Sequence, residues 1–288
     1  MYHMKIIKSP LNYTDGKYKL LPQLLPLFPQ DINIFVDLFT GGANVGVNVE
    51  AKKIICNDNI SFLIELYQKM AELSIDDILN HIDMQIKRYD LSLTNIDGFN
   101  ALREDYNMNK NPLDLFVLIS YSFNHQMRFN NAHQYNSSFG KDRSQFNDSI
   151  RQNLIDFVDA LHSKDISFEC NNFDEFNFSI LGKDDFIYLD PPYLISTANY
   201  NDERRGFTGW NNTQDAKLLT ILDELSTKGI RFALSNVIEH KGIINNNLLE
   251  WSQKYNVINI DTDYSNSNYH AKNKHKPSVE VLITNYDI

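Results

Sequence analysis

The sequence lacks the features of membrane-spanning, exported and metal-binding proteins. No apolar run approaches the roughly 20 residues needed to cross a bilayer, and the first residues have no signal-peptide pattern, so we expect a cytoplasmic protein. The two cysteines, Cys56 and Cys170, lie beside predicted strands and are expected to be buried free thiols. Cysteine and histidine do not cluster at metal-ligand spacing, so no metal is expected.

Several catalytic signatures are also missing. There is no P-loop and no Gly-x-Ser-x-Gly pattern, so neither nucleotide hydrolysis nor acyl-enzyme hydrolysis has support. The net charge of −10 argues against a protein that coats nucleic acid through bulk electrostatics, although small local basic clusters remain. A hydrophobic fraction of 42% and a charged fraction of 22% over 288 residues fit one large α/β domain, or a core domain with an insertion.

The sequence is organised around residues 186–193, Phe-Ile-Tyr-Leu-Asp-Pro-Pro-Tyr. The apolar residues predict a short buried strand that delivers Asp190 to its carboxyl end, where ligands of open α/β sheets bind. Pro191 and Pro192 stiffen the following loop because each fixes its own φ. Asp190 and the Pro191 carbonyl can accept hydrogen bonds from an exocyclic amine while Tyr193 covers the ring, which suits a planar base. A strand ending in a proline-stiffened turn is the alternative.

Residues 34–58 have the pattern of a nucleotide-binding unit. An apolar run that contains Asp37 predicts a strand, and Gly41 and Gly42 predict a turn that leads into a helix. A second apolar run ends at Asp58, 21 positions after Asp37, near the roughly 20-residue offset at which an acid holds ribose hydroxyls. The pattern indicates an adenosine-containing ligand, and an ordinary βαβ unit with a tight turn is the alternative.

Residues 60–164 interrupt the α/β pattern and are assigned to an inserted domain, with 1–59 and 165–288 forming the catalytic domain. Helical spacing predicts helices up to about residue 122 and again near 150–161. Between them, polar residues with interleaved aromatics fit a loop or hairpin that contacts base edges and phosphates. A mobile surface loop is the alternative. The candidate contacts are Asn124, Arg128, Asn130, Lys141 and Arg143.

The remaining chain predicts the rest of the sheet. A polar loop after Tyr193, with Tyr200 and Arg204, is placed to close over the cleft. A helix capped by Asn212 or Thr213 follows, with Gly229 just past its end. Strands are predicted at 231–234, 257–260 and 279–284, the last two as a terminal antiparallel hairpin.

Five stretches, taken in order, resemble the Dam-like (alpha-group) adenine-specific DNA methyltransferases: Tyr13–Lys17, Phe39–Gly42, Asn57–Asp58, Asn124–Phe129 and Asp190–Tyr193. The resemblance covers nearly the whole chain and includes the order of segments typical of that group. It implies a Rossmann-like, mostly parallel class I methyltransferase sheet with an inserted, mainly helical target-recognition domain. It also implies S-adenosylmethionine as cofactor and methylation of adenine in a short duplex DNA site, such as a four-base palindrome, by a monomer or weak dimer.

The resemblance assigns roles residue by residue. The catalytic residues are Asp190, Pro191, Pro192 and Tyr193. The cofactor-binding residues are Tyr13, Lys17, Asp37, Phe39, Gly41, Gly42, Asp58, Phe173 and Asp190. Arg128 takes the position of an arginine that reads guanine. Ala43, Asp15 and Asn172 depart from the family pattern, and these departures concern cofactor contacts and leave the catalytic residues intact.

Other classes of function stay open at this point. Methylation of RNA or of a protein amide is one, because a planar amide could fill the same pocket. A nucleic-acid-binding module with a decayed cofactor site is another. The long insertion that contains Arg128 favours duplex DNA, and intact Asp58 and Asp190 favour an enzyme.

Overall fold

The computed structural model of the chain describes residues 5–12, 16–195, 210–261 and 278–288. These residues form an eight-stranded sheet. Its strands are β1 (Ile32–Asp37), β2 (Ala51–Asn57), β3 (Ile166–Glu169), β4 (Phe186–Leu189), β5 (Arg231–His240), β6 (Ile243–Ile244), β7 (Asn256–Ile260) and β8 (Val279–Thr284).

The strand order is β3-β2-β1-β4-β5-β8-β7, and the short β6 pairs with β5 outside this path. The strands from β3 to β5 are mutually parallel, whereas β8 runs antiparallel to both β5 and β7. From β1 the chain first proceeds outward through β2 and β3, and then returns to β4 on the other side of β1. The order therefore reverses between β1 and β4, which is where ligands bind in open α/β sheets.

Eight helices accompany the sheet in the described ranges: α1 (Leu21–Leu24), α2 (Ser61–Glu72), α3 (Ile75–Arg88), α4 (Ile96–Asn109), α5 (Pro112–Tyr121), α6 (Asp148–His162), α7 (Asn212–Thr227) and α8 (Asn246–Ser252). Most of the longer helices begin after a Ser or Asn whose side chain accepts a backbone N–H of the first turn, which stabilises the helix start. No helix in this part of the chain is both long and apolar enough to cross a membrane.

Apolar residues on the two faces of the sheet belong to separate cores. In β1, Phe35 points into the core shared with α2, α5 and α6, while Val36 points into the core shared with α7. The first core is continuous from the sheet into the helices of residues 60–164, since the ring of Tyr67 in α2 stacks on Phe168 of β3 with centroids 5.1 Å apart. These helices therefore cover one sheet face as well as packing on one another.

The helix predicted after the glycine-rich turn is wrong. Residues 40–50 form successive turns, and Ala43 interrupts any helix because its φ is +55°. The side chains of Asn44 and Asn48 accept the backbone N–H groups of Ser9 and Ile7 at 2.9 and 2.7 Å. Asparagine side chains compete with helical hydrogen bonding in this way. The amino-terminal segment thus binds where a helix was expected.

Smaller differences have local causes. Cys56 is buried as predicted, but Cys170 is exposed because β3 ends at Glu169 and leaves it in the following loop. The cap of α7 is Asn211, one residue earlier than predicted, and it forms a capping box with Gln214. The predicted pairing of the last two strands is confirmed, with β8 lying between β5 and β7. Tyr13, Asp15 and the predicted loop over the cleft at 196–209 lie outside the described residues.

Candidate active site

Three aspartates meet at the edge of the sheet where the strand order reverses. Asp37 is the last residue of β1, and Asp58 and Asp190 directly follow β2 and β4. Burial raises the pKa of all three carboxyls. For Asp37 it raises the pKa to about 7, and the charges of Asp190 and Asp58 add to the effect. Two buried carboxylates and the half-buried Asp190, all with raised pKa values, form a cluster typical of a functional site.

Asp37 is held on one side only. Its Oδ2 accepts the Thr40 hydroxyl at 3.1 Å and the Gly46 N–H at 3.2 Å. Its buried Oδ1 has no hydrogen-bond partner within the described ranges. Gly46 is required for this approach, because a Cβ there would lie 2.4 Å from the Cys56 sulfur. The free lone pairs of Asp37 Oδ1 can accept a donor from a ligand or a water.

The raised pKa of Asp37 predicts a specific pH dependence of stability. The folded protein keeps a proton on Asp37 that the unfolded chain releases between about pH 4 and pH 7, so this group's contribution is present below about pH 4 and lost as pH rises to about 7. The free energy of unfolding of Asp37→Asn, relative to that of wild type, should rise by roughly 1 kcal/mol per pH unit across that window. Above about pH 7 the difference should stay constant. Urea unfolding between pH 4 and pH 8 measures the difference.

A matched control is Asp174→Asn at the surface. The hydrogen bond from Lys217 lowers the pKa of Asp174, so its stability contribution is lost only at the acid end of the range. A difference in unfolding free energy between Asp37→Asn and wild type that stays constant from pH 4 to pH 8 would contradict the protonated state assigned to Asp37.

The glycine-rich turn is fixed from two sides. Asp58 Oδ2 accepts the Gly41 N–H at 3.0 Å, and the hydroxyl of Tyr67 donates to the Gly41 carbonyl at 2.9 Å. Gly41 and Ala43 both have left-handed backbones, with φ of +45° and +55°. This conformation costs a non-glycine residue about 1–2 kcal/mol, so Ala43 occupies a position that favours glycine.

Three aromatic rings lie against one another beside this turn. Phe39 stacks on Phe173 with ring centroids 5.7 Å apart, and Trp210 contacts Phe39 edge-on at 5.7 Å and Phe173 at 5.3 Å. The sequence assigned the two phenylalanines to the cofactor site but placed Trp210 only in the loop predicted to close over the cleft, because 37 residues separate it from Phe173. The cluster offers an apolar wall that suits a flat ring.

Lys17 lies directly against the predicted catalytic residues. Its Nζ lies 2.8 Å from Asp190 Oδ2 and donates to the hydroxyl of Tyr193 at 2.7 Å. Burial raises the pKa of Asp190, and the Lys17 ammonium opposes that rise. Pro191 is buried and Pro192 is exposed, so the motif leaves the sheet edge at Pro192. The predicted cofactor ligand Lys17 and the predicted catalytic residues therefore belong to one cluster.

Glu280 also belongs to this cluster and was not predicted. It lies on β8, the strand next to the edge strand β7, and is 2% exposed. Its Oε1 is 3.5 Å from Lys17 Nζ and 3.1 Å from the Tyr193 hydroxyl. One signal could have revealed it: a single acid inside the apolar run 279–283. A carboxylate at such a position requires a partner, because burying an unpaired charge is costly.

The predicted DNA-contacting stretch is an anchored hairpin, and not a loose surface loop. Phe129 forms a β-bridge with Tyr135, and its ring stacks on Phe62 of α2 with centroids 4.3 Å apart. The side-chain oxygen of Asn130 accepts the backbone N–H groups of residues 132 and 134 and so closes the turn. Arg128 is exposed on this hairpin. Its guanidinium is therefore presented on a rigid support.

Asn124, Lys141 and Arg143 line one surface cavity of about 500 Å³, together with His125. The arginine is held by the ring of Phe123, whose centroid is 4.7 Å from its guanidinium carbon. The cavity joins the amino-terminal segment through a hydrogen bond from Asn12 to the backbone of Asn124. Lys141, Arg143 and the Asn124 amide suit a phosphate or a base edge, although Asp142 also lines the cavity and reduces its net positive charge.

Two further observations concern Asn172 and the side chains that could bind a metal ion. Asn172 uses its side chain to hold Glu175 in the loop after β3, at 2.9 Å. Among the described residues, no three or more His, Cys, Asp or Glu side chains are grouped so that they could hold a metal ion.

The strand order, in which the antiparallel β8 lies between β5 and β7 at one end of a parallel sheet, is that of the class I methyltransferase fold. Residues 13–266 match the sequence model of the D12 class N6 adenine-specific DNA methyltransferases. The chain belongs to this family.

Named relatives agree with this membership. The chain is 52% identical to the type II methyltransferase M.FokI of Planomicrobium okeanokoites over 97% of this chain and 43% of that protein. It is 53% identical to the modification methylase StsI of Streptococcus sanguinis, over 98% of this chain and 43% of that protein. It is 25% identical to the DNA adenine methylase of Salmonella typhi over 81% of this chain and 82% of that protein. The chain therefore spans less than half the length of the first two relatives.

Proposed function

We propose that the chain transfers a methyl group from S-adenosylmethionine to the exocyclic amine of adenine within a short sequence of double-stranded DNA. The observation that carries the proposal is the position of Asp190, at the carboxyl end of β4 beside the reversal in strand order, with Lys17 and Tyr193 bound to it. Family membership supports the same reaction.

The residues present fit S-adenosylmethionine. Asp58, fixed against the Gly41 backbone, is placed to hold ribose hydroxyls, and the wall of Phe39, Phe173 and Trp210 suits the adenine ring. The Oδ1 of Asp37, which has no partner among the described residues, can accept a further donor there when Asp37 is ionised. When bound, this cofactor supplies an electrophilic methyl group on a sulfonium.

Asp190 and its neighbours bind and orient the target adenine. A target adenine must leave the duplex to reach a buried cleft, and Tyr193 provides a ring on which it can stack. Asp190 and the Pro191 carbonyl then accept hydrogen bonds from the amine, orient its lone pair and stabilise the charge that develops on nitrogen. This orientation requires an ionised acceptor and not a strong base.

Residues 60–164 are proposed to recognise the DNA. Arg128 on the anchored hairpin would read a base edge in the major groove, while Lys141 and Arg143 in the adjoining cavity would meet phosphates. Asn124 would contact the DNA from the same cavity, and Asn130 would hold the hairpin turn. We propose that the chain acts in the cytoplasm as a monomer or weak dimer, without a metal ion.

Expression in a host that lacks adenine methylation tests the function. Sequencing that detects modified bases should find N6-methyladenine at one short sequence, and the purified chain should label plasmid DNA from the same host with tritiated methyl groups. Label in RNA or in a protein, with none in DNA, would favour the other substrate classes. Asp190→Ala provides the inactive control.

Asp58→Ala should weaken S-adenosylmethionine binding by about ten- to a hundredfold, because a charge-assisted hydrogen bond contributes roughly 1.5–3 kcal/mol. Calorimetric titration gives the affinity directly. Trp210 fluorescence offers a second readout, since only two tryptophans are present and the other can be replaced by Trp251→Phe. Asp58→Asn keeps an acceptor for the Gly41 N–H and separates loss of the charge from loosening of the turn. Unchanged affinity in Asp58→Ala would remove Asp58 from the cofactor site.

A further inference from the structure

Lys17 is shared between two carboxylates, although one would neutralise it. Its three N–H donors face Asp190 Oδ2 at 2.8 Å, the Tyr193 hydroxyl at 2.7 Å and, at a longer 3.5 Å, Glu280 Oε1. Lys17 and Glu280 are both nearly inaccessible to solvent, with side-chain exposures of 5% and 1%. The second carboxylate leaves the three charged groups with a net negative charge. Burying that charge costs stability, which points to a functional role for Glu280.

The hydroxyl of Tyr193 has two acceptors and one proton. Asp190 Oδ1 lies 2.9 Å away and Glu280 Oε1 lies 3.1 Å away, so the hydroxyl can bond to either carboxylate with little movement. Burial and the neighbouring carboxylates raise the pKa of Tyr193, which keeps the hydroxyl protonated and able to donate. Lys17 faces the same choice between the two carboxylates.

In the arrangement observed, both oxygens of Asp190 already accept a hydrogen bond, one from Lys17 and one from Tyr193. The proposed function requires Asp190 to accept the target amine. We propose that Glu280 is a positioning residue that takes over the Lys17 ammonium and the Tyr193 hydroxyl when Asp190 binds the amine. Lys17 Nζ needs to shift by less than about 1 Å to reach hydrogen-bonding distance from Glu280.

The place of Glu280 in the fold suits this role. It is on β8, whose backbone is paired on both sides, with Val237 of β5 and Ile260 of β7 as register partners. Its carboxylate is therefore fixed while Lys17, near the start of the chain, and Tyr193, in the loop after β4, approach it. An acceptor fixed on a paired strand, within 3.5 Å of Lys17 Nζ and of the Tyr193 hydroxyl, can release Asp190 and keep Lys17 paired.

The inference rests on the proposed function, and single-turnover kinetics test it. Plasmid DNA from a host without adenine methylation and saturating tritiated S-adenosylmethionine are the probes. Glu280→Gln should lower the rate constant of methyl transfer at least about tenfold, with the dissociation constants of cofactor and DNA changed less than about threefold. In a Lys17→Met background the same substitution should change the rate less than about twofold, because no ammonium remains to be held.

Asp185→Asn is the matched control, because Asp185 is a buried carboxylate at the opposite end of β4 that binds the backbone of Ile34 and Gly182. It should leave the rate constant within about twofold of wild type. A wild-type rate in Glu280→Gln would overturn the inference, as would an equal loss of rate in both Lys17 backgrounds, which indicates a merely structural role.

A cycle of urea unfolding separates this inference from the proposed function. Glu280→Gln removes a buried negative charge, so it should raise the unfolding midpoint more in Lys17→Met, where no ammonium offsets the carboxylate, than in wild type. If the wild type labels no DNA, the proposed function fails, and additive midpoint shifts in this cycle would still show that Glu280 does not hold Lys17.

Discussion

Asp190→Ala should reduce methyl transfer by at least about 100- to 1,000-fold, the range found when a group that stabilises transition-state charge is removed. The variant lacks the acceptor that orients the amine. It should remain folded, because Glu280 stays 3.5 Å from Lys17 and keeps that buried ammonium paired. Single-turnover transfer to unmethylated DNA gives the rate, and circular dichroism with urea unfolding checks the fold.

Asp190→Asn separates loss of the charge from loss of the side chain. The amide keeps the size of the side chain and one acceptor oxygen but loses the charge, so its rate should fall between those of wild type and Asp190→Ala. DNA binding by both variants should stay within about threefold of wild type, since phosphate contacts dominate DNA affinity. Transfer by Asp190→Ala within tenfold of wild type would refute the role given to this residue.

Arg128→Ala is expected to relax sequence selectivity at one base pair. Its guanidinium is exposed on the hairpin anchored by Phe129 and Phe62, and a bidentate contact to guanine discriminates by about 1–3 kcal/mol. In rate terms this is roughly ten- to a hundredfold between the correct and the changed base pair. Methylation rates on duplexes that carry every single-base change in the site measure the effect.

Lys141→Ala is the matched comparison for a predicted phosphate contact. If Lys141 meets phosphate in the cavity it shares with Arg143, its loss should weaken binding evenly across sequences and reduce the salt dependence. Arg128→Ala should leave the salt dependence nearly unchanged. Should Arg128→Ala slow all duplexes by the same factor, the residue positions the DNA and does not read it.

The sequence by itself determined the elements whose signals are local. Apolar runs predicted β4 and β8 with their observed bounds, and they placed Asp58 and Asp190 at strand ends; Asp37 was predicted inside its strand, which the structure ends at that residue. Parallel strands bring their carboxyl ends to one edge of a sheet, so acids at these ends are expected to lie close together there. Helix periodicity likewise located the helices of residues 60–164.

Only the tertiary structure decided how distant segments meet. It paired Lys17 with Asp190 and Glu280, which are separated by most of the chain, and placed Trp210 beside Phe173. It also replaced the helix expected near residue 45 with turns, because Asn48 binds the backbone of a segment about 40 residues earlier. The position of β8 between β5 and β7 was decided in the same way. Local sequence patterns indicate where strands end and which face of a helix is apolar. A buried polar side chain has no partner nearby in the sequence, and only packing of the whole chain supplies one.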